Sequence, residues 1–229
     1  MKNFFIFLFI FLSITSVIWF FDNSKINKNP GDIQQIINIK KDPTDEELKS
    51  MIGQMVMVGF NGSIVSEESA IIKTLKDINL GGVIFFNRNG TSNIVNYNQT
   101  KTLIDNLQKY AQTPLFIAVD AEGGKVNRID NLIEIKSAYE MGANKTNQIT
   151  NEESAKLAEE LKALGFNMNL APVLDIDVSN NPAIGGLERA FSNKPSQVTY
   201  QANNFILNHL KQNIITVVKH FPGHGSAFQ

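Results

Sequence analysis

The sequence predicts an α/β protein whose fold is an incomplete (β/α)8 barrel of the TIM type, with about five of the eight strand-helix units present. Short apolar segments alternate with longer amphipathic segments from residue 44 onward. The apolar segments show no alternation of polar residues, as expected for parallel strands that are buried on both faces. Charged and polar side chains that could bind a ligand follow several of these segments, which is typical of the rim of a barrel. A doubly wound sheet is the alternative, because it shows the same alternation but concentrates its ligand contacts at one switch point.

Five segments have the length and the apolar composition of buried strands. They cover residues 54–60, 81–86, 115–120, 167–175 and 214–219. Polar residues follow four of them, namely Asn87-Arg88, Asp120, Asp175 and Lys219-His220. Because the carboxyl ends of parallel strands meet at one edge of the sheet, we expect these side chains to lie close together.

Helices are predicted between the strands from apolar residues spaced three and four apart and from capping residues. Thr44-x-x-Glu47 and Thr150-x-x-Glu153 have the capping-box pattern, so each predicts the start of a helix. The helix predicted from Thr150 carries leucines at helical spacing and ends at Gly165. Further helices are predicted over residues 66–79, 92–110 and 196–213.

The apolar composition of the N-terminal segment predicts that it contacts a membrane. Residues 4–21 are an almost unbroken apolar run behind Lys2, long enough to span a bilayer. The run lacks a small-residue cleavage pattern, which favours an uncleaved signal-anchor over 1–21 rather than a cleaved signal peptide. Residues 22–43 are predicted to be a polar linker, and residues 44–229 the barrel. We therefore expect a cell-envelope protein, anchored in the inner membrane or exported, with the periplasmic or extracellular side favoured.

Composition excludes several classes of function. The chain is 43% hydrophobic with a net charge of −1, so no basic excess indicates nucleic-acid binding. It has no cysteine, which excludes disulfides and thiolate chemistry. No glycine-rich phosphate motif occurs, so we expect no nucleotide cofactor. His220 and His224 lie in a Pro/Gly loop without a metallopeptidase glutamate, so we expect no metal.

Asp120 is the first candidate site residue, because a carboxylate at a strand end can accept hydrogen bonds from two neighbouring hydroxyl groups. The pair Gly123-Gly124 lets the backbone turn sharply after it. Arg128 could then return to the pocket as a donor, or it could form an ion pair with Asp120 that braces the loop. Both interpretations remain open, and Glu122 is an alternative carboxylate.

Arg189 lies in the long loop after the fourth strand, and such loops are often functional. It could donate hydrogen bonds over the pocket, but taken alone a surface arginine is the simpler interpretation. For Asp175 and Asp177, two residues apart, we favour a structural role in capping backbone amides over catalysis.

Lys219 and His220 are adjacent on a strand, so their side chains would point to opposite faces unless the backbone bends. Pro222-Gly223 makes such a bend possible.

Taken together, these segments resemble the N-terminal barrel domain of glycoside hydrolase family 3, and within it the bacterial β-N-acetylhexosaminidase branch. The resemblance covers roughly residues 45–229. It rests on GGVIFFNRN at 81–89, VDAEGGKVNR at 119–128, APVLDI at 171–176, GLERAF at 186–191 and KHFPGHG at 219–225.

The resemblance implies a retaining glycosidase that removes terminal β-linked N-acetylhexosamine through a covalent intermediate, with peptidoglycan-derived glycans as a natural substrate class. It implies that the non-reducing-end sugar is bound by Asp120, Arg128, Arg189, Lys219 and His220. The nucleophilic aspartate and the acid/base histidine are expected beyond Gln229, so the isolated chain would hold half a site and be inactive. The alternative is a non-catalytic or degenerate sugar-binding barrel protein. Either way the expected partners are a carbohydrate and, through residues 4–21, a membrane.

Overall fold

The computed structural model describes residues 42–88, 91–143, 146–178 and 181–226. The α/β fold begins at Asp45. The predicted signal-anchor and almost all of the predicted linker lie outside the described residues. Within the described ranges, no helix is long and apolar enough to cross a membrane.

Six helices and nine short strands make up the described part of the chain. The helices are α1 (Asp45–Gln54), α2 (Ala70–Ile78), α3 (Tyr97–Tyr110), α4 (Ala138–Ala143), α5 (Gln148–Leu164) and α6 (Pro195–Lys211). The strands are β1 (Met57–Gly59), β2 (Gly82–Phe85), β3 (Asn87–Arg88), β4 (Thr91–Ser92), β5 (Phe116–Val119), β6 (Ala121–Gly123), β7 (Val126–Asn127), β8 (Met168–Asn169) and β9 (Ile215–Thr216).

The main sheet has the order β1-β2-β5-β8-β9, and every neighbouring pair is parallel. Each strand lies beside the one that precedes it in the chain, with α2, α3, α5 and α6 in the crossovers between them. A doubly wound sheet would reverse its strand order at a switch point. This sheet never reverses, so the barrel prediction is confirmed, and the barrel is only partly present. The remaining strands form two antiparallel hairpins, β3-β4 and β6-β7.

All five predicted main-sheet strands are confirmed, with shorter bounds. The first begins only at Met57 because α1 continues to Gln54. The capping box at Thr150 is wrong, since α5 already begins at Gln148. The buried Thr150 hydroxyl instead donates to Gln201 of α6 at 2.6 Å. Burial against a neighbouring helix therefore outweighed a local capping pattern. The predicted end at Gly165 is confirmed, with a left-handed backbone at φ 102°.

The core lies between the sheet and the helices. Phe85 of β2 makes edge-to-face ring contacts with Phe60 and Phe166, at centroid distances of 5.4 and 5.3 Å. At the other end of the sheet, β9 has no strand beside its outer edge among the described residues. Apolar side chains that a complete barrel would cover are exposed there, including Val218 and the fully exposed Phe221.

Candidate functional site

Parallel strands deliver the predicted site residues to one rim of the sheet. Asp120 directly follows β5, and Lys219 follows β9. A parallel bridge between Val173 and Lys219 places the segment after β8 beside the segment after β9. A cis peptide bond joins Lys219 to His220. Both of these side chains enter the same hydrogen-bonded network, as expected if the backbone bends.

Glu122 is the centre of this network. Its carboxylate accepts hydrogen bonds from Arg189 Nε at 2.8 Å and Arg189 Nη2 at 2.9 Å, and it pairs with Lys219 Nζ at 2.6 Å. Lys219 Nζ also donates to Asp120 Oδ1 at 2.7 Å. The Glu122 side chain is only 4% exposed, and those of Arg189 and Lys219 are 12% and 16% exposed. The carboxylates of Asp120 and Glu122 and the cations of Arg189 and Lys219 are therefore held together with little access to solvent.

Arg189 is a buried member of the site, so its interpretation as a surface arginine is wrong. Burial by itself would lower the pKa of Arg189, but the hydrogen bonds and the charge of Glu122 outweigh this and raise the pKa. Its Nη1 also donates to the Ala183 carbonyl at 3.1 Å. The guanidinium is thus permanently charged and fixed from three sides.

His220 links Arg189 to Asp175. Its Nε2 lies 3.2 Å from Arg189 Nη2, and its Nδ1 lies 2.6 Å from Asp175 Oδ2. A guanidinium can only donate, so Nε2 must accept and the ring proton must be on Nδ1, where it is donated to Asp175. Burial would raise the pKa of Asp175, but the His224 amide and the His220 ring outweigh it and lower this pKa.

Asp175 also holds the loop that follows β9. Its Oδ1 accepts a hydrogen bond from the His224 backbone amide at 2.6 Å, which confirms the predicted amide-capping role. The buried Asn181 donates to the carbonyls of His224 and Gly225 at 2.9 and 2.8 Å. A cavity of about 440 Å³ lies beside this loop, with Asp175, Lys219, His220 and Phe221 in its wall.

Of the two open interpretations of Arg128, the ion pair with Asp120 does not form. Its backbone amide donates to the Asp120 carbonyl at 2.9 Å, but Lys219 is the cation that pairs with the Asp120 carboxylate. The buried Nε of Arg128 has no hydrogen-bond partner among the described residues. The turn before it requires glycine, because a Cβ on Gly123 (φ 94°) would lie 2.1 Å from the Lys136 carbonyl oxygen.

Sequence reasoning underrated two residues, Glu122 and Asn181. The signal for Glu122 was available, since a carboxylate between a buried strand and a Gly-Gly turn has little access to water. Asn181 had no local signal, because its role depends on a loop more than forty residues away. Within the described ranges, no three His, Cys, Asp or Glu side chains are grouped as a metal site would require.

The comparison with known proteins decides the family. The sequence profile of the glycosyl hydrolase family 3 N-terminal domain matches residues 47–228. The chain belongs to glycosyl hydrolase family 3. Its resemblance to the bacterial β-N-acetylhexosaminidase branch of family 3 is confirmed as well.

Two β-hexosaminidases illustrate the similarity within family 3. The enzyme of Alkalilimnicola ehrlichii is 32% identical over 178 residues, which are 75% of this chain and 49% of that protein. The enzyme of Tolumonas auensis is 36% identical over 155 residues, which are 66% of this chain and 44% of that protein. The chain therefore spans about half the length of the curated relatives it matches.

Solved family 3 structures show the same fold. A β-N-acetylglucosaminidase from a Paenibacillus species superposes with a TM-score of 0.69 at 33% identity, covering 78% of this chain and 34% of that chain. NagZ from Neisseria gonorrhoeae, solved in complex with N-trifluoroacetyl-D-glucosamine, superposes with a TM-score of 0.65 at 31% identity. That match covers 75% of this chain and 50% of NagZ.

Proposed function

We propose that this chain is the sugar-binding half of a retaining β-N-acetylhexosaminidase. The observation that carries the proposal is the unused hydrogen-bonding capacity at the rim. Among the described residues, only Oδ1 of Asp120 has a hydrogen-bond partner, and Arg128 Nε has none. A carboxylate with one unoccupied oxygen beside a lysine ammonium can bind the neighbouring hydroxyl groups of a pyranose ring, with an arginine as a further donor.

The five predicted sugar-binding residues contribute unequally in this proposal. Asp120 accepts hydroxyl protons, while Arg128 and the third ammonium proton of Lys219 donate. Arg189 has one N–H left on Nη1, since four of its five are engaged. His220 has both ring nitrogens engaged, so a sugar hydroxyl can reach its Nε2 only in exchange for Arg189.

The proposed chemistry follows the family. Retaining glycosidases form a covalent glycosyl-enzyme intermediate and hydrolyse it with the help of an acid/base group. We expect the nucleophilic aspartate and the acid/base histidine in the half of the relatives' length that this chain does not span. The substrate class is terminal β-linked N-acetylhexosamine, which is supported by the relatives described as β-hexosaminidases and by the ligand of the Neisseria NagZ structure.

A binding and turnover assay on the full chain tests this function. Titration with N-acetylglucosamine should show saturable binding that glucose does not reproduce, and a chromogenic N-acetylglucosaminide should not be hydrolysed. Hydrolysis by the 229-residue chain would overturn the half-site proposal, and absence of binding would overturn the sugar site. Joining the chain to the second half of the Neisseria NagZ barrel should restore turnover. Binding without turnover in that fusion would favour the non-catalytic alternative.

We also propose that residues 4–21 target the protein to the cell envelope, where peptidoglycan-derived glycans are the available substrate. The support is the length and apolar composition of this run. Cell fractionation of the full chain, and of a chain lacking residues 1–21, tests this. We expect the first in the membrane fraction, and recovery of both from the soluble cytoplasm would refute the proposal.

A further inference from the structure

We propose that Asp175 is a positioning residue that sets the tautomer of His220 and, with its other oxygen, holds the start of the loop after β9. This inference rests on the proposed function for its purpose, but its geometry does not depend on the sugar. This role differs from direct sugar binding, because Asp175 acts through His220 and through the His224 amide.

The directions of two hydrogen bonds determine the tautomer of His220. Asp175 Oδ2 lies 2.6 Å from His220 Nδ1, and Arg189 Nη2 lies 3.2 Å from His220 Nε2. The carboxylate can only accept and the guanidinium can only donate, so both partners demand a proton on Nδ1 and a lone pair on Nε2. The other neutral tautomer would place two acceptors face to face at Asp175 and two donors face to face at Arg189.

Asp175 is much more deeply buried than His220. Its side chain is 2% exposed, whereas that of His220 is 31% exposed. The carboxylate is therefore a fixed acceptor that solvent cannot replace, and the ring adjusts to it. Partners of this kind are known to fix the tautomer and the orientation of functional histidines.

The other carboxylate oxygen of Asp175, Oδ1, has a partner of its own. Asp175 Oδ1 accepts from the His224 amide at 2.6 Å, so one carboxylate orients both the ring and the loop after it. The position of the segment around His224 therefore depends on Asp175.

Asp175→Asn separates the two roles. The amide keeps one oxygen, which can still accept from the His224 amide, and places its NH2 group against His220 Nδ1. Nδ1 must then accept, so the proton moves to Nε2 and meets the Arg189 N–H. Asp177→Asn is a matched control, because it makes the same charge change two residues away from the carboxylate that pairs with His220.

Nitrogen-15 NMR of the full chain, with labelled histidine at pH 8, measures the tautomer directly. The chain has three histidines, so His224→Asn and His209→Gln together assign the His220 signals by elimination. Wild type and Asp177→Asn should show His220 protonated on Nδ1, and Asp175→Asn should show it protonated on Nε2. Wild-type protonation on Nε2 would overturn the proposal without any variant. Unchanged protonation on Nδ1 in folded Asp175→Asn would also overturn it.

Binding of N-acetylglucosamine provides the functional readout. We expect Asp175→Asn to bind about tenfold more weakly, because Arg189 loses its hydrogen bond to His220, and Asp177→Asn to stay within about twofold of wild type. Equal affinity of Asp175→Asn and wild type would refute the positioning role. If the wild-type chain binds no sugar, the proposed function fails, while the tautomer measurement still decides the assignment of Asp175.

Discussion

Substitution of Glu122 by glutamine tests the central network most directly. Glu122 accepts two charge-assisted hydrogen bonds from Arg189 and forms an ion pair with Lys219. Glutamine has nearly the same shape but only one acceptor oxygen. Wherever that oxygen lies, the NH2 group faces at least one cationic donor, and the remaining bonds lose the charge of their acceptor.

The expected cost follows from this count. One charge-assisted hydrogen bond is lost at about 1.5–3 kcal/mol, and the other hydrogen bond and the ion pair weaken by roughly 1 kcal/mol each. The total agrees with the cost of about 3–5 kcal/mol for removing one partner of a buried ion pair. With a urea slope of about 2 kcal/mol per molar, the unfolding midpoint should fall by about 1.5–2.5 M.

Urea unfolding of the full chain, followed by circular dichroism, is the assay. Glu188→Gln is the control, because Glu188 also pairs with a lysine, Lys125, at 2.8 Å but in an exposed setting. That exposed pair should contribute less than about 1 kcal/mol. If Glu122→Gln and Glu188→Gln shift the midpoint equally, or if Glu122→Gln shifts it by less than about 0.3 M, the reasoning about the buried network is wrong.

Three further predictions follow from the described residues. Burial lowers the pKa of His209 to about 4. Between about pH 6.5 and pH 4, His209 therefore binds a proton in the unfolded chain but not in the folded chain. The free energy of unfolding should therefore fall by about 2 kcal/mol between pH 7.5 and pH 5. In His209→Gln this fall should be absent when its stability at pH 5 is compared with its own stability at pH 7.5. Gly53→Ala should destabilise the chain by about 1–3 kcal/mol, because its Cβ would lie 1.6 Å from the Ile78 carbonyl oxygen, and an unchanged thermal midpoint would contradict this packing. Arg128→Lys should weaken N-acetylglucosamine binding about tenfold, as measured by calorimetry. Little stability should be lost, since Arg128 Nε has no hydrogen-bond partner among the described residues. A loss of stability without a change in affinity would indicate a structural role for Arg128.

Most of the fold could be predicted from local pattern. The apolar strands and the amphipathic segments between them specify a parallel α/β sheet, and the site residues at strand ends indicate a barrel rim. The prediction failed at helix starts such as Thr150, where packing against Gln201 outweighed a capping pattern. It also failed for Arg189, whose burial depends on Glu122 sixty-seven residues away.

The sequence by itself determined which residues could form the site and that they follow successive strands. Only the tertiary structure decided their partners. Asp120 pairs with Lys219, ninety-nine residues away, and not with Arg128, eight residues away. The physical reason is strand register, since the parallel pairing of β5 with β8 and of β8 with β9 brings Asp120 and Lys219 to the same rim. Local spacing contains no information on that register, so the partners of Glu122 and Asp175 became visible only in the folded chain.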